Sequence, residues 1–99
     1  MIETIKITNV QTIGKVVRSL QEVFPDLDFK KMYNEESVSR LPRKQQYSTP
    51  TNGIIITLAC PKRRNVIREF CIEGDDARDI NLAYKTLEKM GAIENGRRH

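Results

Sequence analysis

Along the stretch "IETIKITNV" apolar and polar residues alternate, with Ile5 and Ile7 on one side and Lys6 and Thr8 on the other. That period of two predicts a half-buried strand beginning near Glu3. The period then changes: Val10, Ile13, Val17, Leu20 and Phe24 recur every three or four residues, joined by Val16 and Val23. An amphipathic helix follows, with Asn9 or Thr12 as its N-cap, Gly14 inside it and Pro25 as its stop. "LDFKKMYN" reads as a short second strand that sets Phe29 and Tyr33 on the face opposite Lys30.

"GIIITLAC" and "NVIREFCIEG" are rich in β-branched and aromatic residues and predict two further strands. Only Pro61 to Asn65, "PKRRN", separates them, so they form a hairpin with a basic tip. A final helix is capped by Asp75 or Asp76 and carries the stripe Ile80, Ala83, Tyr84, Leu87 and Met90. Gly91 supplies the left-handed position that ends it, and Ile93 folds back. The order β-α-β-β-β-α implies an α+β fold, a small, mostly antiparallel sheet with two helices on one face. It is read as one domain over residues 1–94, with residues 95–99 as a frayed tail.

Between the second strand and the hairpin lies a segment without a hydrophobic period, residues 35–52, which includes "RLPRKQQYSTPT". It exceeds the usual length of a connection, and long unpatterned loops tend to bind or to be disordered. Pro42 and Pro50 favour an extended backbone within it. The segment is expected to be a polar, basic insert that orders on a partner.

Composition narrows the class. With 99 residues, 38% of them apolar and 30% charged, the chain has room for one modest core and is too apolar for a disordered polymer. No run of about 18 apolar residues is present, and "MIETIKITNV" does not resemble an export signal. A cytoplasmic location is expected. The two cysteines, Cys60 and Cys71, fall in apolar strand-like runs and are read as free thiols in a reducing compartment.

The net charge of +4 conceals a strong asymmetry. From Ser37 to Arg68 there are seven basic residues and no acidic one, leaving ten of the seventeen basic residues to face all thirteen acidic ones elsewhere. If the insert and the hairpin tip share one end of the sheet, Arg40, Arg43, Lys44, Lys62, Arg63, Arg64 and Arg68 form one patch, with Tyr47 beside it as a stacking ring. Forked guanidinium donors and released counterions favour a polyanion, so the expected partner is nucleic acid or a nucleoprotein complex, bound with little sequence selectivity. The alternative, from another class, is a protein-targeting inhibitor or adaptor of the kind that phages and mobile elements encode, anti-defence proteins among them. The acidic stretch at 69–79 opposite a basic middle motivates it.

Candidate chemistry adds little. The one His is the last residue, no G-x-S-x-G occurs, and neither Cys stands in a context that would activate it, so no enzyme and no cofactor are expected. The three aspartates of "GDDARD" lack the alternation, central Gly and distal Glu of a calcium loop and are read as helix capping. Two Cys and one His support no zinc site. From Gln11 onward the order helix, three strands, helix resembles the double-stranded-RNA-binding domain in topology. That family grips phosphates with a basic start to its final helix, whereas "EGDDARD" is acidic here. The strand before the first helix is a second departure.

Overall fold

A computed structural model describes residues 2–34, 43–50, 53–60 and 66–93, with the backbone alone at 31–34 and 43. The elements are β1 (Ile2–Thr12), α1 (Ile13–Val23), β2 (Asp28–Asn34), β3 (Arg43–Thr49), β4 (Ile54–Cys60), β5 (Val66–Glu73) and α2 (Ala77–Lys89). All strand pairs are antiparallel, in the order β1-β5-β4-β3-β2. β2 to β5 thus form a meander, and β1 closes it at the far side of β5. The fold is α+β, with both helices contributing to one core on one face of the sheet.

One strand more is present than the sequence pattern indicates. Residues 43–49 of the expected insert are β3, which pairs with β4 from Arg43↔Cys60 to Thr49↔Ile54. The insert as read over 35–52 is therefore corrected: its second half is part of the sheet. Its only large apolar side chain is Tyr47, which is why no period showed. Thr49 is buried and its Oγ1 accepts from the Ile54 N–H at 3.1 Å, closing the turn from β3 into β4. Gly53 completes that turn at φ +67°, a region other residues rarely enter. Four strands between β1 and α2, with α1 preceding them, also separate this topology from the double-stranded-RNA-binding order.

Val10 is likewise corrected. It belongs to β1 and is exposed, and α1 begins at Ile13. Thr12 caps α1, its Oγ1 accepting from the Lys15 N–H at 3.3 Å. Ile13, Val16 and Leu20 form the helix's buried face, and Phe24 ends it in the core just before Pro25. In β2 the register shifts between Phe29 and Lys31, so Phe29 pairs with Tyr47 and Tyr33 with Lys44, neighbours of opposite parity on β3. Simple alternation does not cross that bulge.

α2 follows the sequence reading closely. Asp76 caps it, and Ile80, Ala83, Tyr84 and Leu87 are buried. Gly91, at φ +81°, donates its N–H to Glu88 O at 3.0 Å, while Ala92 donates to Leu87 O at 2.9 Å, the two bonds of a left-handed helix ending. The turn then docks on β1, where the N–H groups of Thr8 and Asn9 both donate to Ala92 O at 3.0 Å. This docking sits where the register of β1 against β5 shifts, between Lys6 and Gln11. The first strand and the last helix are thereby tied together.

Ile5 of β1, Ile54, Ile56 and Leu58 of β4, and Ile67, Phe70 and Ile72 of β5 meet the two helices and Ile93 in one buried cluster. Each such side chain contributes about 1.5 to 3 kcal/mol when fully buried. The core is densest under β4 and β5, and it thins towards β2, where Phe29 remains 48% exposed.

Candidate nucleic-acid interface

The register decides where the connections that hold the expected cations attach. Asn34, the last residue of β2, pairs with Arg43, the first of β3, and Arg43 pairs in turn with Cys60, the last of β4. Val66, the first of β5, pairs with Thr12, the last of β1. Asn34, Arg43, Cys60, Val66 and Thr12 therefore line one end of the sheet. The chain leaves and re-enters the sheet at that end for two connections: 35–42, whose charged residues are Glu35, Glu36 and Arg40, and 61–65, which holds Lys62, Arg63 and Arg64. With neighbouring strands about 4.8 Å apart, the two connections attach about 10 Å from each other.

Of the residues expected to form the patch, Arg40, Lys62, Arg63 and Arg64 lie outside the described residues. The backbone of Arg43 stands at this end of the sheet. Lys44 follows it on β3, half-buried, opposite Ala59. Arg68 is exposed on β5, two residues from Val66 and facing the register shift of β1.

Tyr47 is a correction. It is 8% exposed and belongs to the core, opposite Ile56 in register. Its hydroxyl donates to Gln45 Oε1 at 2.8 Å, and its ring meets Phe29 edge-on at 5.5 Å. Burial, with a smaller effect of Cys60, pushes the phenol above its ordinary range. A ring held this way cannot stack on a base. Strand β3 turns Tyr47 into the core shared with the helices, so it is not the ring of an open loop.

Two cations that the sequence reading passed over belong to the same region. α1 starts directly after Thr12, so Lys15 in its first turn, with Arg18 one turn on, follows from the basic end, and both are exposed. No acidic residue stands in the first turn of α1. The partial positive charge of its N-terminus is therefore uncompensated by its own side chains. The pairing of Thr12 with Val66 is what places them, and nothing in the local sequence announces that pairing.

The far end of the sheet has the opposite sign. There Glu73 pairs with Ile2 and with Ile55, and Asp28 pairs with Ser48. Asp75 follows, exposed, and Asp76 and Asp79 sit at the start of α2. Asp76 Oδ1 accepts from the Arg78 N–H at 2.9 Å, and the Arg78 guanidinium pairs with Asp76 Oδ2 at 3.0 Å. These bonds hold the Asp76 carboxyl below its ordinary value. They account for Asp76 as a helix cap.

The seven residues of β4 separate the two ends by about 20 Å at the rise of a strand. At physiological ionic strength charges are screened over about 8 Å. The acidic end thus does little to cancel the field of the basic end, and the net charge of the chain is a poor guide to either. Cys60 and Cys71 are not joined in a disulfide; the first is buried and the second half-buried. Among the described residues no helix is long and apolar enough to cross a membrane.

Comparison of the chain with protein-family models, with curated proteins and with solved structures finds no match in any of the three.

Proposed function

We propose that this protein is a small non-catalytic binding module that grips the phosphates of nucleic acid, alone or within a nucleoprotein complex, through the basic end of its sheet. The observation that carries the reading is the register Asn34↔Arg43↔Cys60, which brings Arg43 and the attachment points of the connections that hold Arg40 and Lys62, Arg63 and Arg64 to one end. Arg40, Arg43, Lys44, Lys62, Arg63, Arg64 and Arg68 supply the charge, and Lys15 and the start of α1 add to it. Tyr47 takes no part. Without an exposed ring on the described part of this end, affinity rests on phosphate contacts, so binding is steeply salt-dependent and tolerant of sequence.

The test is fluorescence anisotropy of nuclease-treated protein with labelled duplex DNA, single-stranded DNA and RNA of several sequences, at rising salt. Binding to at least one polymer, insensitive to sequence and lost as salt rises, supports the reading. If all three polymers fail while one protein from lysate is held in a salt-tolerant complex that survives nuclease, the protein-targeting reading replaces it.

A further inference from the structure

The sheet has two edges, and they are built differently. An open strand edge presents unpaired backbone groups to any other chain, and proteins commonly guard it with lysines, bulges or covering turns. β2 is guarded: it carries the exposed Lys30 and a register shift between Phe29 and Lys31. The second half of β1 is guarded too, because the N–H groups of Thr8 and Asn9 bond to Ala92 O and the Asn9 side-chain amide donates to Gly91 O at 2.9 Å. Ile2–Lys6 is the exception. These five residues run in unbroken register against Glu73–Glu69, with no described strand beyond them, and Ile2 is 67% exposed.

We infer that Ile2–Lys6 pairs with the same segment of a second copy, antiparallel, about a two-fold axis through Thr4. The geometry selects that axis. A continuous sheet keeps the open faces of both copies on one side, so facing residues share a face and the axis passes through a residue. An axis at Glu3 or at Lys6 sets like charges directly opposite each other, which is unfavourable. An axis at Ile5 extends the pairing to Thr8, whose N–H is already taken by Ala92 O. An axis at Ile2 leaves most of the segment unpaired. Only the axis at Thr4 uses all five residues, sets no like charges opposite each other and leaves Thr8 out of the pairing; Glu3 then faces Ile5 of the second copy.

The surfaces fit in that register. Ile5 is buried, so Ile2, Thr4 and Lys6 lie on the face away from the helices, where all three are exposed. Across the joint the row reads Glu73, Ile2, then Lys6 and Glu69 of the second copy. The Lys6 stem of each copy covers the exposed Ile2 of the other, and its ammonium lies between two carboxylates, Glu73 of one copy and Glu69 of its own. Thr4 meets Thr4 at the centre, a pair that exchanges hydrogen bonds in antiparallel sheets. Five paired residues a side make a small interface, so the dimer is a weak one that forms as concentration rises. The inference does not rest on the nucleic-acid reading.

The test is sedimentation velocity of the nuclease-treated protein over a wide concentration range, for the wild type, Thr4→Lys, Thr4→Glu and an equimolar mixture of the two variants. Thr4 is exposed, so either substitution is compatible with the fold, and circular dichroism checks this. The expected result is a concentration-dependent dimer for the wild type, loss of that dimer in each variant alone, and its return in the mixture, where Lys faces Glu. A wild type that stays monomeric throughout overturns the inference. So does a Thr4→Lys variant that dimerises like the wild type, or a mixture that remains monomeric.

Discussion

The two ends of the sheet are built from the same five strands and differ in almost everything a partner would meet. One end gathers Thr12, Val66, Cys60, Arg43 and Asn34 and carries the attachment points of the 35–42 connection and of the basic 61–65 connection. The other gathers Glu73, Asp28 and the capped start of α2 with Asp76 and Asp79. The two helices sharpen the contrast. α2 is charged to suit its dipole, with Asp79 in its first turn and Lys89 in its last, whereas α1 has no acid in its first turn and no base in its last. A helix that does not compensate its own positive N-terminus adds to the field of the basic end. In a chain of net charge +4, what matters is where along the sheet the charges attach, with Asp28 and Glu73 more than a screening length from Arg43.

The largest effect is expected from reversing charge at the basic end. Arg63→Glu with Arg64→Glu should abolish polyanion binding, at least about a hundredfold in affinity at moderate salt, because phosphate contacts become repulsions. Circular dichroism and thermal melting should be unchanged, and retained affinity in the anisotropy assay would break the comparison at its basic end.

At the acidic end a substitution should cost stability instead. Thr49→Val removes the acceptor for the buried Ile54 N–H, and an unsatisfied buried donor costs about 1 to 3 kcal/mol. Urea unfolding should show that loss, with polyanion affinity per folded molecule unaltered. Reversing the acidic end itself, with Glu73→Lys and Asp75→Lys, should raise affinity less than about threefold at physiological salt, since screening over about 8 Å isolates the ends. A larger rise would show that the two ends act as one field.

The smallest effect concerns the Asp76 cap. Its carboxyl is held below the ordinary value of 3.8 by hydrogen bonds from Arg78, the side-chain bonds first and the backbone N–H second. Because the folded value is the lower one, the cap's contribution is complete above pH 3.8 and is lost as pH falls through that lower value. Thermal melts of the wild type and Asp76→Ala should differ modestly at neutral pH and converge in acid. A constant difference across that range would assign the cap to something other than the ionised carboxylate.

How much of this was legible in the sequence follows from where the apolar residues are. β4, β5 and α2 carry the core, so their residues alternate or recur strongly, and the caps Asp76 and Gly91 stand at the ends of α2. β3 was not legible as a strand because its neighbours supply the burial: of residues 44–49 only Tyr47 and Thr49 are buried, and Gln45 is recruited as the acceptor for the Tyr47 hydroxyl. The signal that pointed to it was the alternation of Tyr47 and Thr49 running into a Pro, Asn and Gly turn, the mark of a hairpin. Val10 was misread because β1 continues through a register shift, and apolar residues across such a shift imitate a helical spacing. At the site, charge could be counted but not placed. The basic block was visible in one dimension, whereas the attachment of its connections at one sheet end depends on pairings between Arg43 and Cys60 and between Thr12 and Val66, which local pattern does not encode.

The most direct test of the central claim is the slope of log affinity against log salt for the best-bound polymer, compared across three proteins. These are the wild type, Arg63→Gln with Arg64→Gln, and a neutralised acidic end, Glu73→Gln with Asp75→Asn. Each lost phosphate contact should reduce the slope by about 0.9 on duplex DNA or about 0.7 on a single strand, so the basic-end variant should fall by nearly 2 or about 1.4. The acidic-end variant should keep the wild-type slope. A basic-end variant with the wild-type slope would contradict the claim that this end of the sheet grips phosphates.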